Sequence, residues 1–186
     1  VGEWDQCDAL VETVYDHFGK CDVLINNAGM SPRYASLSDV SQELFDKVLN
    51  VNLRGPFRLS ATFGERMVKD GSGSIINVSS VAAAQPSPHE APYGAAKAGL
   101  HSLTKSFARA YAPQVRVNCI MPGPFLTDIS DAWSEATHAS LKELPLGRGG
   151  HPNEIVGAAL YFASDASSFT TGAVLKIDGG LIASPS

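Results

Sequence analysis

"CDVLINNAG", residues 21–29, decides how the rest of the chain is read. Val23, Leu24 and Ile25 form a short apolar run without polar alternation, closed by two asparagines and a small-residue turn. Such a run suits a strand buried on both faces, as in a parallel sheet. Upstream, Leu10, Val11, Val14, Tyr15 and Phe18 recur at helical spacing, and Gly19 stands where a helix stops. Downstream, Asp39 or Ser41 can cap a long helical stretch through Leu44, Val48, Val51, Phe57, Leu59, Phe63 and Met67, with a bend predicted near Gly55-Pro56.

The same alternation continues to the end. "SIINVSS" (74–80) reads as a second buried strand. Beyond Pro86, Pro88 and Pro92 a helix is predicted from Tyr93 to about Tyr111, followed by a third strand, "VRVNCI" (115–120). A helix from Asn153 to about Ala163 and a fourth strand, "AVLKID" (173–178), complete the series. Strands alternating with helices imply an α/β fold with a doubly wound parallel sheet, and no linker divides residues 1–186, which read as a single domain.

Composition narrows the function classes. Hydrophobic residues at 44% and charged residues at 18% describe a globular chain with a substantial core. A net charge of -5 gives no basic footprint for nucleic acid or an anionic membrane. Cys7, Cys21 and Cys119 are widely spaced and lack a CxxC pair, which argues against a disulfide framework or zinc site and fits a reducing, cytoplasmic setting. No apolar run reaches membrane-spanning length.

In open α/β sheets, ligands bind at the carboxyl ends of the strands. Here those ends carry Asn26-Asn27-Ala28-Gly29, Ser79-Ser80 and Pro122-Gly123. Tyr93 and Lys97, four residues apart, open the helix after the second strand and share one helical face. Alone, that pair reads more readily as a surface tyrosine beside a solvated lysine, since the spacing arises often by chance.

The order of "NNAG" (26–29), "NVN" (50–52), Ser80, the Tyr93–Lys97 pair thirteen residues later, "PGPFLT" (122–127), "RGGHP" (148–152) and "TGAVLKIDGG" (171–180) resembles the short-chain dehydrogenase/reductase family over essentially the whole chain. The resemblance implies a Rossmann-like fold and hydride transfer between NAD or NADP and a small alcohol or carbonyl substrate. It implies that Tyr93 is the general acid/base, that Lys97 assists it and binds the nicotinamide ribose, and that Ser80 polarises the substrate oxygen. Asn52 either holds a water in a proton relay or bonds backbone at the helix bend. Asn26, Ala28 and Gly29 would border the adenosine part, although Asn26 could also tie strands together. Pro122, Gly123, Phe125 and Thr127 would meet the nicotinamide side. Phe125 stands where the family more often has a smaller aliphatic residue. No metal is implied.

Physical need agrees with the pair. Lowering a tyrosine pKa from about 10 by two to three units takes roughly 3–4 kcal/mol. One ammonium about 4 Å away, at an effective dielectric near 20, supplies roughly 4 kcal/mol. Val81, Ala83, Phe125, Trp133 and Leu141 are candidate pocket walls, and residues 128–144 a candidate lid. A homo-oligomer, dimer or tetramer, is expected through the helix bearing Ala96, Leu100, Leu103, Phe107 and Ala108.

A serine hydrolase is disfavoured by the lack of a GxSxG elbow. A non-catalytic binding subunit has no chemical need for Ser80, Tyr93, Lys97 and Asn52 together. The family's glycine-rich turn between a first strand and helix has no counterpart, since Gly71-Ser72-Gly73 precedes a strand. The expectation is therefore the C-terminal part of such a domain, incomplete at its N-terminus, with weak cofactor binding by residues 1–186 alone.

Overall fold

Four parallel strands order the molecule in the computed structural model, which describes residues 1–182. They are β1 (Val23–Asn26), β2 (Gly73–Val78), β3 (Val115–Pro122) and β4 (Val174–Ile177), side by side in sequence order. Ile25 pairs with Ile76, Asn77 with Cys119, and Pro122 with Ile177, so the strand ends lie along one rim. This is the α/β, Rossmann-like architecture expected from the sequence.

Helices α1 (Trp4–Phe18), α3 (Gly55–Asp70) and α4 (Ala91–Ala110) cover one face. Their Cys7, Val11, Leu59, Phe63, Met67 and Phe107 pack on Ile75, Val115 and Val117. The opposite face packs Ile76 and Ile120 against Phe162 of α6 (Val156–Ala163). Neighbouring residues such as Ile75 and Ile76 thus point to opposite cores, which is why the apolar runs show no polar alternation.

Strand β1 departs from its expected burial. It forms an edge of the sheet, and Ile25 is 48% exposed. On that face α6 packs over Ile76 and Ile120, with Val23 at its margin, and does not cover Ile25.

The predicted bend also has a more specific form. Ser41 Oγ accepts from Leu44 N and starts α2 (Gln42–Leu49). A π-helical turn, Asn50–Arg54, then leads directly into α3. Pro56 has no N–H, and its ring would crowd the carbonyl four residues earlier in a regular α-helix. The wider turn relieves this, with Gly55 N donating to Asn50 O. It carries Asn52, which is fully buried. The predicted helix from Asn153 divides into a 3-10 turn, Pro152–Ile155, and α6.

In α4, Ala96, Leu100, Phe107 and Ala108 are buried in the chain's own core. Its outward face instead carries Ala95, Ala98, Ser102, Lys105 and Arg109. Between β3 and α6 lie a 3-10 turn (Asp128–Ala132), α5 (Glu135–Ser140) and a second 3-10 turn (Leu141–Glu143). Cys7, Cys21 and Cys119 are free thiols. Among the described residues no helix is long and apolar enough to cross a membrane.

Candidate active site

The end of β2 brings Ser80, Tyr93 and Lys97 together. Ser80 caps the 3-10 turn Val81–Ala83, its hydroxyl accepting from Ala82 N at 3.2 Å. Gly94 allows α4 to close on that turn, because a Cβ there would sit 2.9 Å from Ala82 O. The contact brings the Tyr93 hydroxyl to Ser80. Burial raises the Tyr93 pKa above the ordinary tyrosine value, the Ser80 hydroxyl opposes that rise by hydrogen bonding, and the nearby Glu90 carboxylate adds to it.

Lys97 is 2% exposed, and its Nζ donates to Val78 O at 2.8 Å. It lies 5.6 Å from the Tyr93 ring centroid. Burial lowers its pKa to about 8. The expected depression of the Tyr93 pKa by Lys97 is therefore not present: desolvation dominates at Tyr93 and raises its pKa. Ser79 Oγ holds the Lys97 carbonyl at 3.1 Å, and the Cys119 thiol, raised to about 11 by burial, lies within electrostatic reach of the ammonium.

Gly29 joins the end of β1 to this group. A Cβ at Gly29 would sit 2.9 Å from Asn52 Oδ1 and 3.4 Å from Lys97 Nζ. Asn52 Nδ2 donates to Met30 O at 2.8 Å and Val48 O at 2.9 Å, while Oδ1 accepts from Met30 N at 3.2 Å. Its amide thus anchors backbone on both sides. Asn26 ties elements together from within, donating to Ser60 Oγ and Asn77 Oδ1, each at 2.9 Å. Ala28 is exposed beside it.

The residues after β3 form a second group. Gly123 is required by packing, since its Cβ would lie 2.6 Å from Asp178 Cα, and Pro122 pairs with Ile177. The Phe125 ring sits on Gly150, whose Cβ would be 2.8 Å from Phe125 Cε1. Thr127 is exposed, and its hydroxyl does not cap the turn that follows. A groove of about 70 Å³ is lined by Phe125, Leu144, Leu146, Arg148 and Asp178. It includes none of Ser80, Tyr93 and Lys97, and substrate pockets generally need about 300 Å³ or more.

Val81 and Ala83 are half-buried in the turn after Ser80, as is Trp133, whose ring contacts His138. Leu141 is 8% exposed and packs beside Gly149, so it belongs to the interior rather than to a pocket wall. Arg148 forks onto Glu154, with both bonds at 2.7 Å, and orders the approach to α6. Among the described residues no cluster of histidine, cysteine and carboxylate groups could hold a metal.

Sequence reasoning placed Ser79 at the strand end but not as a partner of Lys97, and it missed Val78 and Cys119 around Lys97 and Tyr34 at the start of α4. The Val78 and Ser79 contacts use the Val78 and Lys97 carbonyls, and Tyr34 lies 57 residues from its partner, Ala91. Gly94 carried a signal, since a glycine in the first turn of a helix marks close backbone approach.

Comparison with known proteins adds an independent line. The family model described as enoyl-(acyl carrier protein) reductase matches residues 1–182. The 3-oxoacyl-(acyl-carrier-protein) reductase FabG of Thermotoga maritima is 41% identical over 184 residues, covering 98% of this chain and 74% of that protein. Dehydrogenase/reductase SDR family member 4 of Pongo abelii is 36% identical, covering 97% of this chain and 66% of that protein. A gluconate 5-dehydrogenase from Burkholderia cenocepacia, solved in complex with NADP and tartrate, superposes with a TM-score of 0.93 at 34% identity, over 99% of this chain and 73% of that one.

Proposed function

The chain belongs to the short-chain dehydrogenase/reductase family, and on that premise we propose that it interconverts an alcohol and a carbonyl compound with NAD or NADP, using Tyr93 as the general acid/base. The observation that carries the proposal is the convergence of the Ser80 and Tyr93 hydroxyls, with the buried Lys97 ammonium beside the tyrosine ring.

The residues present fit a nicotinamide cofactor. Gly29 keeps the backbone beside Lys97 free of a side chain. Val78 O accepts from one of the three donors of an ammonium, which leaves capacity for a ribose hydroxyl. Lys97 would hold that ribose, Ala28 and Gly29 would border the adenosine part, with Asn26 fixing their strand from within, and Pro122, Gly123, Phe125 and Thr127 would line the nicotinamide side. When bound, the cofactor supplies or accepts the hydride.

Ser80 donates to the substrate oxygen and orients it toward the tyrosine. Tyr93 is protonated at neutral pH, as an ordinary tyrosine is, and burial, which raises its pKa, only reinforces this. The phenol gives its proton to that oxygen during reduction. The Lys97 charge stabilises the tyrosinate that remains. Asn52 fixes the Met30 backbone against Lys97 and could hold a relay water only in addition to that structural task. The same steps in reverse serve alcohol oxidation.

A homo-oligomer, dimer or tetramer, is part of the proposal. Leu160 and Phe169, 63% and 104% exposed on and after α6, support it as an apolar surface that association would cover. The free thiols support a cytoplasmic setting. The function is tested by following NADPH and NADH consumption with a panel of ketones, 3-oxoacyl thioesters and keto-sugar acids. Turnover that Tyr93→Phe lowers by about 10²–10⁴-fold, with the fold kept, is expected. A loss of less than tenfold removes Tyr93 from the mechanism.

A further inference from the structure

We propose that Tyr34 is a positioning residue for Tyr93. Its hydroxyl pins the first turn of α4 to the segment that follows β1. The inference rests on the reading of Tyr93 as proton donor.

The first backbone N–H groups of a helix lack partners inside the helix. At the start of α4, Glu90 provides no side-chain cap, and Pro92 has no N–H to offer. The Ala91 N–H is instead taken by Tyr34 Oη at 2.7 Å, across 57 residues of sequence. The same hydroxyl donates to Pro88 O at 2.8 Å. One hydroxyl therefore ties the 3-10 turn Pro88–Glu90 to the first residue of α4, two positions before Tyr93. Ser31 adds a contact to the Glu90 carboxylate at 3.3 Å.

The other end of the segment is equally fixed. Asn52 holds both the N–H and the carbonyl of Met30, directly after Gly29. Residues 29–34 thus run as a strap from Gly29, which Asn52 and Lys97 both approach, to the beginning of α4. On the opposite side, the first turn of α4 abuts the Ser80 turn through Gly94 and Ala82. Tyr93 is held between these two supports. Removing the Tyr34 hydroxyl frees one of them and lets the Tyr93 oxygen move relative to Ser80. A displacement of about 1 Å at a reacting group can cost roughly 10²-fold in rate.

The test compares Tyr34→Phe with the parent. Tyr161→Phe serves as control, since it deletes a hydroxyl bonded to Thr170 on the far side of the sheet. Tyr34→Phe is expected to lower kcat about tenfold or more, while KM for the cofactor stays within about twofold and Tm falls by only a few degrees. Tyr161→Phe should leave kcat unchanged. In protein carrying tyrosine labelled with ¹³C at Cζ, the Tyr93 resonance, assigned with Tyr93→Phe, should move in Tyr34→Phe. An unmoved Tyr93 resonance overturns the proposal whether or not the parent turns over. A moved resonance with unaltered kcat overturns it as well. A parent inactive on every carbonyl tested counts against the proposed function, and the resonance then decides the positioning claim alone.

Discussion

At the scale of single residues, the buried Lys97 ties the proposed chemistry to the energetics of folding. Its pKa in the folded protein is about 8, below the ordinary lysine value of 10.5, because it is buried. The unfolded chain therefore binds more protons between these two values. Stability should rise with pH across that interval, and the burial penalty should be fully present below about pH 8. The penalty is roughly 3 kcal/mol. Lys97→Met removes it but leaves Val78 O without its partner, at a cost of about 1–3 kcal/mol. Melting curves at neutral pH should accordingly place the variant within a few degrees of the parent. Its turnover should nevertheless be nearly abolished. A large loss of Tm would show that Lys97 is chiefly a structural residue. In the parent, the reduction rate should hold up to about pH 8 and then fall as Lys97 loses its proton, whereas alcohol oxidation should gain with alkalinity as Tyr93 ionises.

The Tyr93–Lys97 pair was legible because a spacing of four places two side chains on one helical face. Ser80 was legible from its position at a strand end. The direction of the Tyr93 shift was not. It depends on burial set by α4 and the Ser80 turn, and on a lysine whose charge is directed to Val78 O rather than to the phenol.

At the scale of elements, α4 is the part on which geometry depends most. Gly94 lets its first turn reach the carbonyl of Ala82. Gly94→Ala would place a Cβ 2.9 Å from that oxygen, and the backbone must shift to admit it. A loss of about 1–3 kcal/mol in stability is expected. A larger proportional loss in kcat should accompany it, because the displaced turn carries Tyr93. Denaturant melts and steady-state kinetics on the same preparation read both effects. Retention of full kcat would show that the Ser80–Tyr93 approach does not need the close contact. The sequence revealed α4 and its approximate limits, since its apolar period is regular. It did not reveal the π turn at Asn50–Arg54, which follows from the conflict between Pro56 and the carbonyl four residues before it. A bend near Gly55-Pro56 was as far as residue pattern could lead.

At the scale of the whole molecule, four buried or half-buried apolar runs were enough to imply a parallel sheet, and β2 and β3 have the burial that reading requires. Strand β1 does not, because edge or centre is decided by neighbours distant in sequence. Surface character was similarly hidden. The apolar residues of α4 are consumed by its own core, whereas Leu160 and Phe169 remain exposed. Light scattering at micromolar concentration should give a dimer or tetramer, and Leu160→Glu with Phe169→Glu should lower its mass. A monomeric parent would contradict the expected association.

The central claim is that hydride transfer to a carbonyl carbon depends on the proton held by Tyr93. The direct measurement is mass spectrometry of the product alcohol formed from NADPH or NADH carrying deuterium at both positions of nicotinamide C4, by the parent and by Tyr93→Phe. The parent should place one deuterium on the former carbonyl carbon, and Tyr93→Phe should form that product about 10²–10⁴-fold more slowly. Deuterium incorporation by Tyr93→Phe at a rate within tenfold of the parent, or none by the parent with any carbonyl tested, would contradict the account.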